Sequence, residues 1–290
     1  MLEASLESSG LASEFMTLSI IIVNWNRKDL TKNCLESIFC ASKEKLRTNE
    51  YEIILVDNGS VDGSIDYLRS IEDKVKVIFN NTNLGYAPAC NQGMKVASGR
   101  YILLLGNDTL IRDDALQKCV DFLEQHNDAG AVGCKLLNLD LSVQNNCKKF
   151  PRLKNAVFTY LSLDKFNKDY DMEWFDYNTI AEVEQISTTF LMIRKELLDK
   201  LNYFNEDYKI LYNDVDLCVR IWQSGYKIYF FNLAEVIHYG SESTKKAGFK
   251  LRKIMYHDIY KYYRNTFGPK AIILLPILFI RLLLVSVVKK

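Results

Sequence analysis

The chain has 290 residues, and its 37 Lys and Arg against 36 Asp and Glu leave a net charge of +1. With 48% apolar and 25% charged residues, disorder is excluded as the main state, and the balanced charge excludes a whole-protein basic field for nucleic acid. The 7 cysteines, an odd number with no CxxC pair, argue against a disulfide scaffold or zinc ribbon and for a reducing compartment.

Residues 1–15 (MLEASLESSGLASEF) lack the basic start and apolar core of a secretory signal and read as an expression leader outside the fold. Residues 18–23 (LSIIIV) form a short β-branched run, the signal of a buried strand, broken at Asn24-Trp25-Asn26. A helical stretch follows through Cys34, Leu35, Ile38 and Phe39. A second strand at 51–56 (YEIILV) ends in Asp57-Asn58-Gly59-Ser60, where Ser60 or Asp62 suits the cap of a helix carrying Ile65, Leu68 and Ile71. A third strand at 75–79, a turn at 80–85, a helix at 87–97 and a fourth strand at 101–105 (YILLL) complete the series, which stops at Gly106-Asn107-Asp108-Thr109. Strands alternating with helices imply a parallel sheet with crossover helices. Residues 140–180 mix charges and aromatics without clean periodicity, and part of this stretch is expected to be mobile and to order on ligand binding.

The end of the chain changes character. Between 245 and 264 lie Lys245, Lys246, Lys250, Arg252, Lys253, Lys261 and Arg264 with interleaved tyrosines and one acid, Asp258. Residues 271–288 (AIILLPILFIRLLLVSVV) are nearly continuous apolar sequence, interrupted by Pro276, Arg281 and Ser286. A basic, Tyr-rich stretch beside an apolar helix suits a membrane surface, with Arg281 snorkelling to the headgroups. A spanning helix and a buried terminal core helix are the alternatives.

Each apolar strand ends in a polar cluster: Asn24 with Asn26, Asp57 with Asn58 and Ser60, Asn107 with Asp108. In an open parallel sheet these are the carboxyl ends of the strands, where ligands bind. Singly, each cluster also suits a turn or a cap. No GxGxxG follows the first strand and no GxxxxGK[ST] occurs, so neither a dinucleotide fingerprint nor a P-loop is present. A nucleotide can still bind, with Trp25 as a flat face for a base, Asp57 accepting from a base N–H and Asp108 holding a divalent cation on a diphosphate.

Six segments carry a resemblance: 18–30 (LSIIIVNWNRKDL), 52–64 (EIILVDNGSVDGS), 80–93 (NNTNLGYAPACNQG), 99–110 (GRYILLLGNDTL), 212–230 (YNDVDLCVRIWQSGYKIYF) and 235–241 (EVIHYGS). In this order they resemble the family 2 inverting glycosyltransferases, most closely their bacterial rhamnosyltransferase-like branch. The resemblance implies an α/β fold of the GT-A type: a Rossmann-like, mostly parallel central sheet with flanking helices, here followed by a C-terminal helical membrane-associating segment. It divides the chain into a leader (1–15), a transferase domain (16–240) with a donor half to about 130 and an acceptor half from 131, and a basic and apolar tail (241–290). It assigns Trp25, Asn26, Asp57, Asn58, Ser60, Asn91 and Asn107 to the nucleotide-sugar donor, of UDP or dTDP type. It assigns Asp108 and His238 to Mn²⁺ or Mg²⁺, and Asp214 to general base catalysis. The acceptor it implies offers a hydroxyl, and the basic and apolar tail adds the expectation of a glycan or polyprenyl-linked glycan at the cytoplasmic face of a membrane. The family's first metal-binding acid is Gly106 here, and the Glu of its Glu-Asp pair is Asn213. Asp214 begins a helix with an apolar face, whose N-terminal dipole is expected to lower its pKa, while Asp214 or Asn213 as a plain N-cap remains the structural alternative. A sugar nucleotidyltransferase and a non-catalytic membrane-tethered protein of the same fold remain alternative functions.

Overall fold

The computed structural model describes residues 16–45, 51–240 and 249–288. The expected leader and the residues Lys245 and Lys246 lie outside them. The first half runs β1 (Leu18–Asn24), α1 (Lys28–Lys45), β2 (Tyr51–Asp57), α2 (Ser64–Arg69), β3 (Lys76–Phe79), α3 (Tyr86–Val96), β4 (Tyr101–Leu105), β5 (Thr109–Ile111) and α4 (Ala115–Gln125). Then follow β6 (Ala129–Leu137), β7 (Val143–Gln144), β8 (Cys147–Lys148), α5 (Leu153–Tyr160), β9 (Ala181–Glu182), β10 (Gln185–Ile186), β11 (Phe190–Arg194) and α6 (Lys195–Leu201). The chain continues through α7 (Asn213–Gln223), β12 (Lys227–His238), α8 (Phe249–Phe267), a 3-10 segment (Gly268–Ile273) and α9 (Leu274–Val288).

The main sheet has the order β3-β2-β1-β4-β11-β6-β12-β5. The four strands expected from the apolar runs pair in parallel, as their crossover helices require. Beyond β4 the sheet turns mixed: β11 runs antiparallel to both β4 and β6, β12 is parallel to β6, and β5 is antiparallel to β12. Alternate side chains of each strand enter opposite cores. Ile20, Ile22, Leu55 and Leu103 pack with Cys34, Leu35 and Ile38 of α1 and Leu116 and Cys119 of α4. Ile21, Ile54, Ile102 and Leu104 pack with Ala87, Cys90 and Met94 of α3 and Leu217, Cys218 and Ile221 of α7. Gly93 sets how closely α3 lies on the sheet, because a Cβ there would sit 2.8 Å from Ile21 Cγ2.

A third core joins the tail to the rest of the molecule. Ala156 of α5, Val215 of α7, Ile259, Tyr262 and Tyr263 of α8, and Leu274 and Leu278 of α9 pack together with Tyr208. The buried carboxylate of Asp258 on α8 accepts from the backbone N–H groups of Lys209, Ile210 and Leu211, at 3.0, 2.7 and 3.1 Å. This pins the loop that leads into α7, so α8 takes part in placing Asp214. Arg281 does not snorkel as expected. Its Nε donates to the Tyr160 carbonyl at 2.7 Å, and its guanidinium also reaches the Ser162 hydroxyl. The free carbonyls at the end of α5 are acceptors that favour a cation there. The 140–180 stretch carries β7, β8 and α5 and is cross-braced by buried Asn155 and Asn167, joined side chain to side chain at 3.0 Å.

Candidate functional site

The carboxyl ends of β1, β2 and β4 share one buried polar network. Asn24, the last residue of β1, donates from Nδ2 to Asp57 Oδ1 at 2.8 Å and to Ser60 Oγ at 3.1 Å. Its Oδ1 accepts from Thr31 Oγ1 at 2.8 Å, and Asn107 Nδ2 donates to Thr31 Oγ1 at 3.0 Å. The Ser60 N–H closes the second oxygen of Asp57 at 3.0 Å. Asp57 is fully buried, Asn24 likewise, and Ser60 nearly so. The register that pairs Asn24 with Asp57 across β1 and β2 makes this network possible.

Asn26 shapes the rim. It adopts a left-handed φ of 53°, its N–H donates to Ser60 Oγ at 2.9 Å, and its Oδ1 accepts from the Val61 N–H at 2.7 Å. Asn tolerates that conformation better than most residues. Trp25 beside it is 52% exposed, leaving its ring available as a stacking face. Asn58 and Asn91 stand apart. Asn58 donates to Asn83 Oδ1 and the Gly85 carbonyl and accepts from the Leu84 N–H, which fixes the 80–85 turn. Asn91 is buried on α3, donating to the Phe204 carbonyl and Glu206 and accepting from the Phe204 N–H. The structure therefore commits both amides to loop support and keeps Asn91 out of the polar cluster it was grouped with.

The antiparallel pairing of β5 with β12 sets His238 opposite Thr109 and so brings it to Asp108. His238 Nε2 lies 3.4 Å from Asp108 Oδ1, and the two side chains are 12% and 19% exposed. Gly106 makes room for this placement, since a Cβ there would sit 3.0 Å from Asp108 Oδ1. One imidazole and one carboxylate converging at a strand end fit Mn²⁺ or Mg²⁺, with the remaining ligands drawn from water and a diphosphate. Among the described residues no group of three or more His, Cys, Asp and Glu is placed to hold a metal without such help.

Asp214 lies in the first turn of α7, where its Oδ1 accepts from the Val215 N–H at 2.9 Å. Its carboxyl is pushed up, not down: burial raises it, and the helix N–H groups and the Lys148 charge offset only part of that. Desolvation outweighs the dipole because loss of hydration costs the carboxylate more than the partial charge at a helix N-terminus returns. Asn213, in the place of the family's Glu, is 4% exposed, and neither polar atom of its side chain has a partner among the described residues. Tyr212, at φ 68°, occupies the N-cap position. Asp216 is a support: it accepts from Arg220 Nε at 2.8 Å while Arg220 holds the Leu201 and Tyr203 carbonyls.

Residues 187–189 bridge the two halves of the site. The Gly106 N–H donates to the Thr189 carbonyl at 2.9 Å, and the Ser187 and Thr189 hydroxyls meet at 2.8 Å. The Tyr86 hydroxyl nearby is pushed up, by burial first, then by Cys90 and, more weakly, by the Asp214 charge, with Thr188 opposing the rise. A cavity of about 570 Å³ opens beside this bridge, lined by Asn138, Gln144, Asn145, Ser187, Thr189 and His238. Thr31, Gln144 and Lys148 take part in the site without having been singled out in the sequence. Thr31 sits in the first turn after Asn24 and was open to local inference; the other two reach the site only through strand pairing.

Residues 19–177 match the family described as glycosyl transferase family 2. The chain belongs to that family. Residues 101–288 also match the related glycosyl transferase family group 2. The glycosyltransferase is 27% identical to an uncharacterized glycosyltransferase of Haemophilus influenzae, over 69% of this chain and 72% of that one. It is 22% identical to the rhamnosyltransferase WbbL of Escherichia coli, over 78% of this chain and 84% of that protein. A poly(ribitol-phosphate) beta-glucosyltransferase of Bacillus spizizenii is 34% identical over 41% of this chain, which spans only 19% of that relative's length. The fold matches S. aureus TarS 1–349 in complex with UDP-GlcNAc with a TM-score of 0.59 at 19% identity, covering 86% of this chain and 67% of that one. The central sheet is thus of the GT-A type.

Proposed function

We propose that this family 2 glycosyltransferase moves a sugar, with inversion, from a UDP- or dTDP-sugar to a hydroxyl of a lipid-linked or cell-surface glycan. The observation that carries this reading is the meeting of Asp108 with His238 at the carboxyl edge of the sheet, beside the Asn24–Asp57 network and joined to residues 187–189 through the Gly106 N–H and the Thr189 carbonyl. Trp25 would stack on the base, and Asp57 would face the nucleoside through the residues it orders. Asp214 would take the proton of the acceptor hydroxyl as its oxygen attacks the anomeric carbon. The bond to the diphosphate breaks with its electron pair passing to the leaving oxygen. Asp108 and His238 would hold Mn²⁺ or Mg²⁺, which supplies positive charge to that leaving group. A carboxyl raised by burial is a stronger proton acceptor than an ordinary aspartate, which suits the base role.

The tail supports a membrane-held acceptor at the cytoplasmic face. Ala271, Leu274 and Leu278 are buried against the body, while Ile272, Ile273, Leu275, Phe279, Ile280 and Leu283 are 42–64% exposed on the opposite side. Arg281 ties the same helix to α5. A helix with one face on the protein and one apolar face outward suits an in-plane position better than a span. Sedimentation with anionic vesicles tests this: wild type should bind, and Phe279→Glu with Ile280→Glu should stay in solution. Equal binding of both would remove the membrane reading.

Thermal unfolding against UDP, dTDP, GDP and NAD, each with and without Mn²⁺, tests the donor. Selective binding adds about 2.7 kcal/mol of stability at a hundredfold excess over Kd. A metal-dependent shift with one nucleoside diphosphate is expected; no shift with any would leave a non-catalytic member of the fold. Transfer surviving in Asp214→Asn would exclude Asp214 as base.

A further inference from the structure

His238 has two ring nitrogens, and which of them carries the proton decides whether Nε2 can serve a cation. Resting on the proposed metal pair, we infer that Gln144 is a positioning residue that holds neutral His238 in the Nδ1–H form and turns the Nε2 lone pair toward Asp108.

Four hydrogen bonds lead from His238 to the carboxylate of Asp140, and an ionised carboxylate only accepts. Asp140 Oδ1 receives the Ser142 hydroxyl at 2.6 Å and the Ser142 N–H at 3.0 Å. With its proton spent there, the Ser142 oxygen accepts, and Asn138 Nδ2 donates to it at 2.9 Å. Asn138 must then present its oxygen to Gln144, whose Nε2 donates at 2.9 Å. Gln144 in turn presents Oε1 to His238 Nδ1, with which it makes a short contact. An amide oxygen cannot donate, so Nδ1 carries the hydrogen. In the neutral ring that leaves a lone pair on Nε2, 3.4 Å from an acceptor oxygen of Asp108. In that form two acceptors face one another, an arrangement that a bound cation would satisfy.

The fold builds this chain on purpose-made geometry. β7 pairs antiparallel with β6, setting Gln144 opposite Leu136, and the parallel pairing of β6 with β12 carries His238 past the end of the same strand. The 138–142 turn is closed by the Asn138 N–H to the Ser142 carbonyl at 2.8 Å and the Leu141 N–H to the Asn138 carbonyl at 2.9 Å. Outer partners of this kind fix the tautomer of a ligating histidine, and their loss costs about 10–100-fold in metal affinity.

Long-range ¹H–¹⁵N spectra of the metal-free protein at pH 8 read the tautomer directly. The chain has 3 histidines, so His238→Gln assigns the signals. Wild type should show His238 protonated on Nδ1, and Gln144→Leu should release it toward the Nε2–H form. Mn²⁺ affinity, read from the free-ion electron paramagnetic resonance signal with saturating UDP, should fall about 10–100-fold in Gln144→Leu and recover in Gln144→Glu, which restores an acceptor. An Nε2–H histidine in wild type overturns the inference even if no variant folds. An unchanged tautomer in Gln144→Leu overturns it as well. An Nδ1–H histidine released by Gln144→Leu, in a protein that binds no Mn²⁺, upholds the positioning role and strikes the proposed metal instead.

Discussion

Strands β1 and β2 carry a buried carboxylate network at each end, and the two are built differently. At the amino end, Ser19 pairs in register with Glu52; at the carboxyl end, Asn24 pairs with Asp57. Glu52 accepts from Ser19 at 2.7 Å, from the Ser98 hydroxyl at 2.6 Å and from Lys76 at 2.7 Å. Burial alone would raise its carboxyl, yet these donors together hold it down at about 2. Asp57, more deeply buried still, meets an amide and a backbone N–H, and among the described residues it pairs with no cation. The amino-end network is closed by a positive charge and locks β1, β2 and the 98–99 turn together. The carboxyl-end network is neutral apart from its one carboxylate and ends at an exposed tryptophan and the Asp108–His238 pair. The same register thus supplies an anchor at one edge and, at the other, a polar edge that no cation among the described residues closes.

The largest effect that would test this contrast is at the carboxyl edge. Asp214→Asn should lower turnover by about 10²–10⁴-fold while leaving nucleotide-induced stabilisation intact. Full turnover would move the base elsewhere. At the amino edge, Glu52→Gln should cost about 2 kcal/mol in denaturant unfolding, allowing for the solvent-exposed Lys76, with nucleotide binding unchanged. The sign follows from a folded value of about 2 below an ordinary 4.5: the contribution is fully present above 4.5 and is lost as pH falls from there toward 2. The acid-unfolding profile of Glu52→Gln should therefore flatten across that window; a parallel profile would deny Glu52 its anchoring role.

Trp25→Ala should do the reverse of Glu52→Gln. Nucleotide affinity should drop about fivefold or more for a lost stacking face, with folding stability changed by less than about 0.5 kcal/mol. A stability loss without an affinity loss would make Trp25 a packing residue. The smallest effect concerns Asp214. Burial raises its carboxyl, so turnover should decline with falling pH at a higher pH than an ordinary aspartate would give. Lys148 opposes that rise, so Lys148→Met should move the acidic limb further up; a downward move would show that Lys148 does not act on Asp214.

The parallel half was legible in the sequence because each strand is an unbroken apolar run and each ends in turn-forming Asn, Asp, Gly or Ser. Those same endings placed Asp57, Ser60 and Asn107 at one polar edge, where the structure joins them in one network, since carboxyl ends of parallel strands share one edge. Asn58 and Asn91 carry the same residue type, but their amides are consumed by the 80–85 turn and the Phe204 backbone. Composition cannot tell a ligand-facing amide from one spent on a loop. The α7 dipole acts on Asp214 with the expected sign, but the desolvation that packing brings outweighs it.

By itself, then, the chain determined the βα alternation, the polar edge and the apolar tail, all of which follow from interactions between near neighbours. The mixed half of the sheet, the meeting of Asp108 with His238 and Gln144, the raised carboxyl of Asp214 and the capture of Arg281 by α5 were decided by tertiary structure. Each depends on strand pairing or burial between distant segments, and a period-2 or period-3.6 pattern carries no information about which segment will lie alongside.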